Sequence, residues 1–189
     1  MSEDGAPKGR INLEKAAVLL LSSPSGMEML RRMFDGFGVR HPYVCHDRAR
    51  AMQVCRESDL DLIVCDGSLD GGETYDFIAE LRRSDIDPNR FAPVMVIQGH
   101  TPLDQIAKAR DCGANFVVAK PITPRTLLER VLWIAQEQRP FVELDDYVGP
   151  DRRFHNHGAP NGVGRRRSDN PAQAAAQIIS GLNPKDSIL

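Results

Sequence analysis

Asp66 and Lys120 each end a short apolar run, LDLIVCD at 60–66 and NFVVAK at 115–120. A carboxylate and an ammonium that both lie at the sheet edge can form a standing ion pair, which contributes about 0–1 kcal/mol when partly exposed. Two further runs end in polar residues: AAVLLLSS in Ser22 and Ser23, and APVMVIQG in Gln98 and Gly99. Serine hydroxyls are neutral and weak ligands for a hard cation such as Mg²⁺. A glutamine amide can hydrogen-bond an oxyanion. Arg152 and Arg153, and then Arg165, Arg166 and Arg167, form clusters able to grip phosphate-type anions. Asp145, Asp146, Asp151 and Asp169 offset that charge. His155 and His157 lack nearby acids or cysteines in a ligand pattern, so no metal site is expected there. Cys45, Cys55, Cys65 and Cys112 are scattered and contain no CxxC pair, which suits buried free thiols in a reducing, cytoplasmic setting.

The runs that carry these residues are apolar throughout, as parallel strands covered on both faces must be. A weaker run, VRHPYVC at 39–45, contains Pro42 and reads as an edge strand. Between the runs lie helical patterns. In 25–37, Met29, Leu30, Met33 and Phe37 form the predicted stripe. Similar patterns occupy 47–57, 73–84 and 102–112, the last stopped at Cys112–Gly113. The pattern over 123–137 opens with Thr123 as N-cap and Pro124 at the first helical position.

Strand and helix therefore alternate five times, which predicts an α/β fold: a five-stranded parallel, doubly wound, flavodoxin-like sandwich. Ligand chemistry in such sheets lies beyond the C-terminal strand ends, where Ser22, Ser23, Asp66, Gln98 and Lys120 fall. The sequence divides into a disordered leader at 1–13, a folded domain at 14–138 and an Arg/Gly/Pro-rich, low-order tail at 139–189. That tail has room for one short helix at 171–181.

At 189 residues with 41% hydrophobic content, the chain can bury one core, and its net charge of −2 draws it neither to nucleic acid nor to a membrane. The longest apolar run is far too short to span a bilayer, and MSEDGAPKGR has no signal-peptide core. The segment after 138 is too short and apolar-poor for a winged-helix output, so DNA binding is not expected. A glycine-rich phosphate loop, a nucleophile elbow and a base–nucleophile pair are all missing, so no enzyme activity is expected.

LDLIVCD followed by GANFVVAKP resembles the receiver domain of bacterial response regulators (CheY-like), over about two thirds of the chain. The resemblance implies that Asp66 is the phospho-acceptor, that Lys120 contacts it and then its phosphoryl oxygens, and that Pro121, often cis in this family, shapes the following loop. It implies no cofactor beyond the Mg²⁺ that phosphorylation uses. This sequence departs from the family in several places. Ser22 and Ser23 stand where the family has an acid pair, and Gln98 where it has a hydroxyl. Val117 replaces the switch aromatic, and Asp70 the proline after the acceptor. Asp70 and Glu73 are the acids that could substitute for the missing pair.

Three modes of action remain open. The first is a phosphorelay receiver without a DNA-binding output, partnered by a histidine kinase or phosphotransfer protein. The second is a phosphorylation-independent pseudo-receiver that binds proteins. The third is an effector that binds a nucleotide second messenger, such as cyclic di-GMP, through Arg152, Arg153, Arg165, Arg166 and Arg167, since related effectors carry arginine-rich extensions.

Overall fold

The computed structural model describes residues 13–69, 72–99, 107–109, 111–136 and 139–151. Strand β1 (Val18–Leu21) is buried along its whole length, as are β3 (Leu62–Asp66) and β4 (Val94–Gln98). With β2 (Tyr43–Cys45) and β5 (Phe116–Ala119) they form one sheet in the order β2-β1-β3-β4-β5, every pair parallel. This is the doubly wound arrangement that the alternating pattern predicts, with β2 at the edge and Pro42 just before it.

Alternation along each strand feeds two cores. Leu19, Leu21, Ile63 and Cys65 face one side and pack with residues of α2 (Arg48–Glu57) and α3 (Glu73–Arg83). Val18, Leu20, Leu62 and Val64 face the other, against α1 (Pro24–Gly36) and α4 (Pro124–Gln136). All four cysteines are free and buried. Burial pushes the thiols of Cys45 and Cys112 up to about 11 and that of Cys55 up to about 12, so these thiols are inert packing groups.

Short polar side chains start the helices. The Ser23 hydroxyl accepts from the Gly26 N–H at the head of α1, and Pro24 follows it. The Asp47 carboxylate accepts from Arg50 N at α2. The Thr123 hydroxyl accepts from Thr126 N at α4, where the sequence places the cap. Each such cap contributes about 1 kcal/mol. The buried stripe of α1 differs from the predicted one: Met27, Leu30 and Phe34 face the core, with Phe37 just beyond the helix, while Met29 is exposed. The i, i+3, i+7 spacing from residue 27 fits one helix face, and Met29 falls off it.

Two segments depart from the predicted boundaries. Leu13, placed with the leader, donates its N–H to Phe37 O and packs against the α1 core. Residues placed in the extended tail form a hairpin, β6 (Phe141–Glu143) and β7 (Val148–Pro150), paired antiparallel. The hairpin sits beneath the sheet, at the end opposite Asp66. Phe141 meets the Phe91 ring edge-on, with centroids 4.8 Å apart, and Glu143 pairs with Arg90. Tyr147 is buried and donates its hydroxyl to Pro150 O at 2.7 Å.

The hairpin closes over Arg82, which is fully buried at the end of α3. Its guanidinium donates to Gly113 O, Arg90 O, Ala92 O and Asn115 Oδ1 at 2.5–3.0 Å. Burial lowers its pKa to about 10, so the group stays charged at neutral pH, held by carbonyl dipoles. Gly113 follows the helical residues 107–109 and has φ +98°, as the predicted stop at Cys112–Gly113 requires. A Cβ there would lie 2.7 Å from Val148 O, so glycine also admits β7. The candidate helix at 171–181 lies outside the described residues.

Candidate functional site: the Asp66 strand-end cluster

The sheet order places β3 beside both β1 and β4, so the ends of these strands converge on Asp66. Asp66 is 4% exposed. Lys120, one residue beyond β5, reaches across β4 and donates from Nζ to Oδ1 and Oδ2, both at 2.9 Å. The Ser22 hydroxyl donates to Oδ2 at 3.1 Å, and the Ser68 N–H donates to Oδ1 at 3.0 Å. Each carboxylate oxygen thus accepts two hydrogen bonds. Burial pushes the Asp66 carboxyl up, but the Lys120 and Ser68 hydrogen bonds and the Lys120 charge outweigh it and hold the group below the usual carboxylate range.

The surrounding residues fix this geometry. Lys120–Pro121 is a cis peptide, and Lys120 N donates to Gln98 O. Thr74, buried at the head of α3, donates its hydroxyl to Asp66 O at 2.6 Å. Ser22 is fully buried, and His46 Nδ1 lies 2.9 Å from its carbonyl. Gly26 in the first turn of α1 faces the carboxylate; a Cβ there would stand 2.5 Å from Ser22 Oγ and 2.8 Å from Asp66 Oδ2.

The structure therefore brings Asp66, Lys120 and Ser22 into direct contact. Ser23 does not join them, because its hydroxyl caps α1. Gln98 is buried at the end of β4 and donates from Nε2 to Tyr75 Oη at 2.6 Å. Ser68, Thr74, Tyr75 and Gly26 escaped the sequence reading. Ser68, Thr74 and Gly26 come from a loop and from helix starts, where no apolar periodicity marks a position; Tyr75 falls on the apolar stripe of the 73–84 pattern, but nothing there marks its hydroxyl as a partner of Gln98. Val117 is half-buried on β5, while Phe116 points to the opposite face and meets Trp133 edge-on at 4.8 Å. Asp70, Arg152, Arg153, Arg165, Arg166 and Arg167 lie outside the described residues.

A divalent cation of the kind this fold implies does not fit the residues present. Mg²⁺ needs hard oxygen donors around an open octahedral space. Here one serine is engaged with Asp66, the other caps a helix, and the Lys120 ammonium already bridges both acceptor oxygens. Gly26 packs against the same oxygen that Ser22 occupies. Among the described residues no cluster of His, Cys, Asp and Glu could hold a metal ion.

A parallel sheet with an aspartate ending β3 and a Lys–Pro just past β5 is a receiver-type arrangement. The family model described as response regulator receiver domain matches residues 22–132, and the chain belongs to that family. The chemotaxis protein CheY-3 of Vibrio cholerae is 24% identical over 115 residues, 60% of this chain and 87% of its own length. A putative response regulator from Chloroflexus aurantiacus superposes with TM-score 0.57 at 22% identity, over 65% of this chain and 99% of that one. The receiver domain of the sensor histidine kinase PA1611 from Pseudomonas aeruginosa superposes with TM-score 0.57 at 18% identity, over 65% and 99% of the two chains. That structure is described as holding a magnesium ion in its active-site cleft. Response-regulator function in two-component signalling follows from the family.

Proposed function

We propose that this chain is a receiver-type interaction module of a two-component pathway. It acts by docking proteins, without DNA-binding output or enzymatic turnover, and its Asp66 centre works without Mg²⁺. The observation that carries this reading is the saturated Asp66 carboxylate, which meets Lys120 on both oxygens, Ser22 on one and the Ser68 N–H on the other. Phosphoryl transfer to a carboxylate depends on positioning and on neutralising charge as it develops. Here the neutralising charge is one ammonium, already paired. The upstream partner is a histidine kinase or a phosphotransfer protein. Its setting is the cytoplasm, where the free buried thiols stay reduced.

Intact-mass analysis tests this. The protein and its Asp66→Ala variant are incubated with acetyl phosphate, with and without Mg²⁺. The expected result is no adduct on either. A Mg²⁺-dependent gain of one phosphoryl group, absent from Asp66→Ala, overturns it.

That opposite outcome would establish the second reading, a phosphorelay receiver. One observation favours it: Asp66 is held ionised, the form in which a carboxylate can attack, with Lys120 placed to meet a phosphoryl oxygen.

A further inference from the structure

We propose that Tyr75 is a positioning residue of the Asp66 centre, which holds the Gln98 amide at the strand-end opening where an oxyanion on Asp66 would be met. The proposal rests on the reading of Asp66 as the centre of the site. Gln98 ends β4, directly after Ile97, the residue in register with Asp66. Its Nε2 donates to Tyr75 Oη at 2.6 Å, and Gln98 is 3% exposed. The Tyr75 hydroxyl, which can accept or donate, ties the amide end of Gln98 to the head of α3.

Tyr75 is itself tied to the acceptor. Its neighbour Thr74 donates to Asp66 O, so two consecutive residues at the head of α3 fasten the helix to the ends of β3 and β4. Gly67, immediately after Asp66, lies beneath the pair. A Cβ there would be 3.3 Å from Tyr75 Oη and 3.3 Å from Gln98 Cδ, tighter than ordinary packing. Glycine at 67 therefore leaves room for the Tyr75–Gln98 pair beside the Asp66 backbone. β5 offers only Val117 at the nearby position, a branched aliphatic with a stiff χ1. The aromatic ring in contact with this strand end comes from α3.

The test uses the full chain labelled with 3-fluorotyrosine and read by ¹⁹F NMR. The chain has three tyrosines, and Tyr75→Phe assigns the Tyr75 signal. Asp66→Asn and, separately, Lys120→Met perturb the centre without touching the ring. The expected result is a displaced Tyr75 signal in both variants, with the Tyr147 signal in the remote hairpin unmoved. Gln98→Leu should abolish the displacement, while an unchanged Tyr147 signal shows that the variant is folded. A Tyr75 signal that stays in place, or that moves equally in the Gln98→Leu background, overturns the proposal. This readout needs no phosphorylation, so its failure is distinct from an unexpected acetyl phosphate adduct.

Discussion

The Ser22 hydroxyl donates to Asp66 Oδ2 at 3.1 Å, with the serine fully buried and the aspartate nearly so. A neutral donor thus occupies the side of the carboxylate where an acid would compete for a cation. Ser22→Asp reverses that chemistry. Two carboxylates at this distance repel, so the variant should be less stable than the parent by about 1–3 kcal/mol without metal. It should also gain a Mn²⁺ affinity that the parent lacks, with stability recovering as Mn²⁺ is added. Thermal melts across a Mn²⁺ titration read both. Equal Mn²⁺ stabilisation of parent and variant would show that the serine site already accepts the ion.

The depressed Asp66 pKa makes a prediction about acid. A carboxyl held below its unfolded value contributes stability that is fully present above the unfolded pKa of about 3.9 and lost as pH falls through the folded value. The asparagine of Asp66→Asn does not titrate, so the variant lacks that component. Its melting temperature should lie below the parent's at pH 7, and the gap should narrow below about pH 4. Paired melts from pH 7 to pH 3 give the comparison. A gap that is constant with pH would mean that Asp66 acts by shape alone.

The sheet was legible because parallel strands covered on both faces leave continuous apolar runs, and because Thr123–Pro124 and Gly113 mark helix limits by local chemistry: a capping hydroxyl, a proline of fixed φ and a positive-φ glycine. Asp66, Lys120 and Ser22 were legible for a related reason: each lies at or just past the end of such a run, where this topology gathers its side chains. The partners of the site were not legible. Nothing in the residue types of Tyr75 and Gln98 says that one accepts from the other across the head of α3. The hairpin was illegible because its strands are three residues long, too short for a period, and its contacts reach far back along the chain. Glu143, for example, pairs with Arg90.

That hairpin makes Arg82 a sensitive position. Arg82→Met keeps an unbranched apolar stem but takes these donors from Gly113 O, Arg90 O and Ala92 O, while Asn115 Oδ1 keeps the Val94 N–H. Each buried acceptor left unpaired costs about 1–3 kcal/mol, so a loss of several kcal/mol is expected, more than a typical core substitution. Urea unfolding measures it. Hydrogen exchange should locate the damage in β6, β7 and the start of β5, far from Asp66. A loss under about 1 kcal/mol would mean that water replaces the guanidinium, and that the hairpin does not depend on it.

Gly26→Ala probes the contact between α1 and the site. In an open helix the change is favourable, because alanine exceeds glycine in helix propensity by up to about 1 kcal/mol. Here the new Cβ would lie 2.5 Å from Ser22 Oγ and 2.8 Å from Asp66 Oδ2, so α1 or the serine must move. The expected result is a net loss of about 1–3 kcal/mol, with the steric cost exceeding the propensity gain. Ser22→Gly removes the nearer of the two obstacles. The double variant should therefore recover part of the loss, and the coupling energy from a double-mutant cycle should be favourable by about 0.5 kcal/mol or more. Additive effects would show that Gly26 is required for its backbone alone. Coupled effects would show that glycine is needed because the small residue in α1 and the hydroxyl at Ser22 together shape the pocket that holds Asp66.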